Sequence, residues 1–183
     1  MKKVCVFLAD GFEEIEGLTV VDILRRAGVE VTTVSVMGRK MIQGAHGIPV
    51  EADCLFEEAQ AQGADLLVLP GGMPGTLNLK RHEGLIDLLK EFDGQGRKIA
   101  AICAAPSILG ELGMLDGRAA CAYPSFEDQL GDARVLQEPV VTDGHITTGR
   151  GMGAAIPFAL RLAALLCGEE KAEEVRKSIV YEV

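Results

Sequence analysis

Short apolar segments alternate with longer amphipathic segments along the whole chain. Residues 4–9 (VCVFLA) are apolar throughout, as expected for a strand covered on both faces, and residues 14–26 carry Ile15, Leu18 and Val21 at helical spacing. Buried strands joined by helices require crossover connections, which build a parallel sheet with helices on both faces. The alternation therefore predicts an α/β protein with a doubly wound, mostly parallel sheet.

The remaining segments continue this alternation without a linker, repeat or low-complexity tract. Further strands are predicted at residues 29–36, 65–69, 98–102 and 118–122, hairpins at 41–50 and 140–148, and helices at 85–92, 104–112, 154–166 and 169–177. The length of 183 residues suits one domain over residues 1–183. Sites in such sheets lie beyond the carboxyl ends of the strands, so we expect the chemistry there.

Composition narrows the classes of function. The chain has 27 Asp and Glu against 18 Lys and Arg, a net charge of −9, and its basic residues are scattered, which disfavours a nucleic-acid partner. Its five cysteines are widely spaced without a C-x-x-C pair, which predicts free thiols in the reducing cytoplasm, with no disulfide framework and no metal site. Residues 153–167 are too short and, with Arg161, too polar to span a membrane.

Cys103 follows the predicted strand 98–102 and precedes a predicted helix beginning at Ala104. Ala101 and Ala105, two residues before and after it, are small enough for the crowded turn of a nucleophile elbow. The N–H groups of the following helix would point at the sulfur and favour the thiolate. A buried apolar cysteine in an alanine-rich strand is the alternative interpretation.

Two glycine-rich turns follow other predicted strands. Pro70-Gly71-Gly72 ends one strand, and its bare N–H groups, together with that of Ala104, could form an oxyanion hole; a tight turn is the plainer interpretation. Gly149-Arg150-Gly151 precedes a helix and could bind an anion.

Three carboxylates, Glu13, Glu14 and Glu16, open the first helix at the same edge of the sheet. A carboxyl group buried beside the thiol would stay protonated and could relay a proton, but spacing alone does not choose among the three. The three histidines lie in a hairpin, on a helix and beside a turn, and none completes a triad with Cys103.

Five segments together are similar to one known family. They are Ala9-x-Gly11-x-Glu13-Glu14-x-Glu16, Arg25-Arg26-Ala27-Gly28, Val68-Leu69-Pro70-Gly71-Gly72, Ala100-Ala101-Ile102-Cys103-Ala104-Ala105-Pro106 and Thr148-Gly149-Arg150-Gly151-x-Gly153. From end to end the chain resembles the ThiJ/PfpI superfamily, and within it the branch of the parkinsonism-associated protein deglycase and its bacterial relatives.

This resemblance implies a flavodoxin-like αβα sandwich in three layers, a homodimer, and a cofactor-independent site with Cys103 as the reactive cysteine. It selects Glu16 as the protonated acid beside the sulfur and Gly72 and Ala104 as backbone donors. Arg26 would lie near a pocket on the dimer side.

The chain also departs from the family pattern. Tyr123-Pro124 stands where animal members carry His-Pro, so Tyr123 is expected to line the pocket, with Gly71 and Arg150, rather than to relay protons. Ala104 replaces the histidine of the protease-like branch, which argues against peptidase activity. Glu51 stands in place of a second family cysteine, and Cys54 is given no sensor role.

Two functions remain open at this stage. The first is a glyoxalase or deglycase that protects against carbonyl stress: the Cys103 thiolate adds to methylglyoxal, glyoxal or their early adducts, and Glu16 moves protons. The second is a redox-responsive chaperone or oxidative-stress sensor that uses oxidation of Cys103.

Overall fold

A central sheet of seven strands organises the protein, and the structure, a computed structural model, describes residues 1–182. In chain order the strands are β1 (Lys3–Leu8), β2 (Glu30–Ser35), β3 (Met41–Gln43), β4 (Pro49–Glu51), β5 (Cys54–Leu55), β6 (Leu66–Leu69), β7 (Lys98–Ile102), β8 (Ala119–Ala120), β9 (Arg134–Val135), β10 (Val140–Asp143) and β11 (Ile146–Gly149). The seven-stranded sheet has the order β10-β11-β7-β6-β1-β2-β5, and every pair except β10–β11 is parallel.

Helices cover both faces of this sheet. They are α1 (Glu14–Arg26), α2 (Gly75–Arg81), α3 (Glu83–Gly94), α4 (Pro106–Glu111), α5 (Ala155–Cys167) and α6 (Glu169–Ser178). Helices α1, α5 and α6 pack on one face, and α2, α3 and α4 contribute to the core on the other. The predicted mostly parallel α/β sandwich is confirmed. None of the helices in residues 1–182 is long and apolar enough to cross a membrane.

Strand β1 shows how the two cores arise. Successive strand side chains point to opposite faces, so Val4 and Val6 enter the core beneath α1 and α5, whereas Cys5 and Phe7 enter the core beneath α3. Because both faces are covered, the strand is apolar at every position, and this is why its sequence does not alternate.

The structure departs from the sequence prediction at five places. Helix α4 begins at Pro106 instead of Ala104, because residues 103–105 form the turn and proline suits the first helical position. Of the predicted strand 118–122 only Ala119–Ala120 pairs, with β9 and outside the main sheet. Helix α2 and strands β5 and β9 were not predicted. Val183, the last residue of the predicted domain, lies outside the described residues.

The parallel strands bring three chain segments together at one edge of the sheet. Gly71 follows the end of β6, Cys103 follows the end of β7, and the segment after β1 leads into the first turn of α1. Strands β6 and β7 are neighbours in register, with Leu69 opposite Ala101. The fold therefore places the predicted site residues at the carboxyl edge, as the strand order requires.

Buried leucine packing should dominate stability. We expect Leu89→Ala to lower the free energy of unfolding by about 2–5 kcal/mol, because Leu89 on α3 is fully buried and its removal leaves a cavity. The matched control Leu77→Ala, on α2 with 37% of its surface exposed, should cost roughly 1 kcal/mol or less. Urea unfolding measures both, and equal losses would contradict the assignment of Leu89 to the core.

Candidate active site

Cys103 occupies a sharp turn between β7 and α4. Its φ is 67°, in the left-handed region that costs a residue with a side chain about 1–2 kcal/mol. Two backbone hydrogen bonds hold this conformation: Cys103 N–H donates to Gly149 O and Cys103 O accepts from Tyr123 N–H, both at 2.9 Å. The predicted nucleophile elbow is therefore present, with Ala101 and Ala105 fully buried on either side of it.

Gly71 lets Cys103 and Glu16 approach each other. A Cβ at Gly71 would lie 2.7 Å from both Cys103 Cβ and Glu16 Oε2, too close for any side chain there. Gly72 has φ of 90° and packs directly against the backbone of Glu13 and Phe12, so it too must be glycine. Both positions therefore require glycine because neighbouring segments pack against them, and Gly72 requires it also because of its positive φ.

Glu16 is the carboxylate that reaches Cys103. It is fully buried, and its Oε2 accepts a hydrogen bond of 2.9 Å from Gly71 N–H. Its Oε1 forms no hydrogen bond of standard geometry with any described residue, although the Cys103 thiol is close enough that each group alters the pKa of the other. Of the three glutamates at the start of α1, the structure therefore identifies Glu16 as the one beside the Cys103 thiol, which spacing alone could not decide.

The two groups compete for protons. Burial raises the pKa of Glu16 to about 7, with a smaller increase from the charge of Glu13, against the opposing hydrogen bonds of Cys103 and Gly71 N–H. Burial, followed by the charge and hydrogen bond of Glu16, raises the pKa of Cys103 to about 12. The two groups therefore titrate as one coupled pair.

Backbone donors act on the sulfur as predicted. Hydrogen bonds from the N–H groups of Ala104 and Gly72 lower the pKa of Cys103 and so favour the thiolate. Burial and the neighbouring Glu16 carboxylate act in the opposite direction and leave the pKa of Cys103 raised.

A groove of about 530 Å³ lies next to this turn. It is lined by Tyr123, Arg150 and Met152 among others, and Tyr123 is linked to Cys103 by its backbone hydrogen bond. The Arg150 guanidinium lies 3.7 Å from Glu127 Oε1, and its buried Nε has no hydrogen-bond partner among the described residues. Tyr123 and Arg150 therefore share one surface, whereas Gly71 belongs to the Cys103–Glu16 contact.

The structure does not bring Arg26 to the site. It lies at the exposed end of α1, roughly 15 Å along the helix from Glu16, where it pairs with Asp22 at 2.9 Å. Within the single chain Arg26 is distant from Cys103, because a helix that begins at the site carries its last turn away from it; its place near a pocket on the dimer side stays a prediction.

One residue beside the site was missed by the sequence analysis. His46, in the turn of the β3–β4 hairpin, contacts Glu14 and Glu13 through its Nδ1 at 3.1 and 3.4 Å. Glu13 N–H in turn donates to Gly71 O at 2.9 Å. No local signal marks this contact, because more than thirty residues separate His46 from the two glutamates.

The structure belongs to the class of flavodoxin-like α/β sandwiches, with a strained cysteine at a strand end and a buried glutamate beside it. Comparison with known proteins gives the family: the model of the DJ-1/PfpI family matches residues 2–165, and the chain belongs to this family. The resemblance noted in the sequence is therefore confirmed.

Individual relatives support the same assignment. The chain is 40% identical over 177 residues to protein DJ-1 homolog A of Arabidopsis thaliana, covering 95% of this chain but 45% of that protein, so it spans about half the relative's length. It is 34% identical over 166 residues to a protein from Pyrococcus abyssi that is named as a deglycase. The match covers 90% of this chain and 99% of that protein. The solved structure of oxidized Toxoplasma gondii DJ-1 matches with a TM-score of 0.96, 36% identity and full coverage of both chains.

The raised pKa of Glu16 should appear in the pH dependence of stability. Because the folded-state pKa lies near 7, above the ordinary 4.5, the stability from the neutral carboxyl is complete below pH 4.5 and is lost as pH rises through 7. Between about pH 4.5 and 7 we expect the free energy of unfolding of the wild type to fall by about 3 kcal/mol relative to that of Glu16→Gln.

Urea unfolding across this pH range measures the difference between the two proteins. The matched control is Glu57→Gln, an exposed glutamate, which should leave the wild-type pH profile unchanged. Parallel profiles for wild type and Glu16→Gln would contradict a raised pKa.

Proposed function

We propose that this protein is a cysteine-dependent, cofactor-independent enzyme of glyoxalase or deglycase type, acting on methylglyoxal, glyoxal or their early adducts. The observation that carries the proposal is the contact between the strained Cys103 and the buried Glu16, whose pKa is raised to about 7. A group with a pKa near neutrality can both accept and donate a proton at physiological pH.

The first step joins the thiol to the aldehyde carbon. Glu16 accepts the proton of Cys103 as the sulfur attacks and the S–C bond forms, and it then passes this proton to the carbonyl oxygen, which gives a hemithioacetal and leaves Glu16 ionised. The N–H groups of Gly72 and Ala104, which already act on the sulfur, would stabilise the negative charge that develops on this oxygen.

The second step is an internal oxidation and reduction. Glu16 removes the hydrogen of the former aldehyde carbon as a proton, and a proton returns to the neighbouring ketone carbon through an enediol, which leaves a thioester. Water then hydrolyses the thioester, which releases a 2-hydroxy acid and restores the Cys103 thiol. The sum is methylglyoxal plus water giving lactate, so no external oxidant, reductant or cofactor is needed.

Two further observations support a carbonyl substrate. Ala104 is fully packed beside the thiol and offers only its backbone, so the site lacks the histidine that a cysteine peptidase uses as its base. The Pyrococcus abyssi relative is named as a deglycase at 34% identity, which fits this class of reaction.

The second candidate function uses the same pocket. Oxidation of Cys103 to a sulfinate would place its oxygens near the N–H groups of Gly72 and Ala104 and the carboxyl of Glu16, which suits a redox-responsive sensor or chaperone. The similar Toxoplasma gondii DJ-1 was solved in an oxidized form, which favours keeping this alternative.

The proposal includes a homodimer in the cytoplasm. Ile15 and Leu18 project from one exposed face of α1, with 50% and 37% of their surfaces exposed, and Ile48 of the neighbouring hairpin is 52% exposed. A second copy of the chain would cover these apolar side chains. All five cysteines are free, which suits the reducing cytoplasm.

Cys103→Ser should abolish conversion of methylglyoxal to lactate, because the serine hydroxyl cannot replace the thiol as nucleophile here. Glu16→Gln should lower kcat/KM by about 10²–10⁴-fold, the usual contribution of a positioned acid-base group. Wild-type kcat/KM should rise as pH increases through 7, since Glu16 must be ionised to accept the proton, and this rise should be absent in Glu16→Gln.

Lactate release without added glutathione measures both variants. The control is Cys167→Ser, which removes an exposed thiol at the end of α5 and should leave activity unchanged. Turnover in Cys103→Ser equal to that of wild type would reject the enzyme proposal.

Mild peroxide should add two oxygen atoms to Cys103 before it modifies the other four cysteines, because the Glu16 carboxylate can accept its proton and the N–H groups of Gly72 and Ala104 can stabilise the oxidised sulfur. Peptide mass spectrometry over a peroxide series measures the order of oxidation. Cys167 is the internal control, since it is more exposed but lacks this environment. Equal oxidation of both thiols would remove the basis for a sensor.

A further inference from the structure

A second group of side chains with metal-ligating chemistry lies beside the Cys103 site. Glu13 and Glu14 at the start of α1 and His46 in the β3–β4 turn each offer one ligand atom, and these three atoms lie within 4.8 Å of one another. Within residues 1–182 this is the one group of three or more such side chains close enough to hold an ion. The reaction proposed above makes no use of it.

The spacing of these atoms fits a transition-metal ion. His46 Nδ1 lies 3.1 Å from Glu14 Oε2 and 3.4 Å from Glu13 Oε2. A tetrahedral ion with bonds of about 2.0–2.1 Å separates neighbouring donor atoms by about 3.3 Å. The two distances from His46 Nδ1 are close to this separation, and all three donor atoms lie within 4.8 Å of one another.

Glu14 is held in place before any ion arrives. Its carboxylate is almost completely buried, and its Oε1 accepts hydrogen bonds from the N–H groups of His46 at 2.8 Å and Ile48 at 3.4 Å. Gly44 packs directly against this carboxylate, and a Cβ there would collide with it. The hairpin is thus built around Glu14, which leaves Oε2 directed toward the His46 ring.

The charge around the three side chains favours a cation. Among the described residues, His46 is the only basic side chain within 4.0 Å of either carboxylate. In the single chain the His46 side chain is 68% exposed, so an ion from solvent can reach its ring there. The two carboxylates and the single imidazole of His46 together leave negative charge, which a divalent ion would neutralise.

From this geometry we propose that Glu13, Glu14 and His46 form a binding site for a divalent transition-metal ion of the Zn²⁺ type. A mixed set of one imidazole nitrogen and two carboxylate oxygens suits Zn²⁺, Co²⁺ or Ni²⁺ better than Ca²⁺ or Mg²⁺, which prefer oxygen alone, or Cu⁺, which prefers sulfur. Water completes the coordination, as at zinc sites with three protein ligands.

Calorimetric titration of the chelator-treated protein with Zn²⁺ tests the site directly, at about pH 8 so that the imidazole is neutral. We expect one ion per chain in wild type. His46→Gln should weaken binding by at least about 100-fold, since even an outer-sphere partner of a ligand contributes 10–100-fold.

Glu13→Gln provides a second loss variant, because Glu14→Gln could disturb the hairpin. The matched control is His82→Asn, which changes a histidine that caps α3 far from the cluster and replaces it with a residue that also caps well. This control should bind Zn²⁺ as wild type does.

Co²⁺ absorption distinguishes this site from the nearby thiol. Binding at the cluster should give visible ligand-field bands without a sulfur-to-cobalt charge-transfer band, and Cys103→Ser should leave the spectrum unchanged. Wild-type affinity in His46→Gln, a charge-transfer band that disappears in Cys103→Ser, or no binding at all would overturn the proposal. None of these readouts depends on enzyme activity, so the proposed function is tested separately.

Discussion

The site depends on glycine at position 71, because no residue with a side chain fits there. Any Cβ there would lie 2.7 Å from both Cys103 Cβ and Glu16 Oε2, so only glycine lets the end of β6 pass between the thiol and the acid. The same residue donates its N–H to Glu16 Oε2 and accepts from Glu13 N–H, each at 2.9 Å. Gly71 therefore ties the first turn of α1 to the carboxyl edge of the sheet, where Cys103 lies.

Burial of the Cys103–Glu16 pair sets its chemistry. Glu16 is fully buried and Cys103 is partly buried, and this loss of contact with water raises the pKa of Glu16 to about 7 and that of Cys103 to about 12, in spite of the backbone donors around them. In the proposed reaction Glu16 takes the proton of the thiol as the sulfur attacks.

Much of the fold could be predicted from local pattern. The bounds of α1 and β7 agree with the structure, because each has an unbroken hydrophobic period and a clear end signal. Helix α2 was missed because it has seven residues and follows a run of glycine and proline, which indicates a turn. The predicted strand at 118–122 was too long because Thr148 Oγ1 and Cys103 O accept the N–H groups of Cys121 and Tyr123 in place of a neighbouring strand.

The sequence by itself determined the layered α/β architecture and the position of Cys103 at a strand end, because hydrophobic period and small-residue spacing are local properties that a chain carries without its fold. Similarity to known family motifs added Glu16 as the partner of the thiol. Only the tertiary structure decided that Glu16 is buried against Cys103, that this burial raises the pKa of both groups, and that His46 contacts Glu13 and Glu14. Those facts depend on which distant segments meet and how far water is excluded between them, and no local pattern records either quantity.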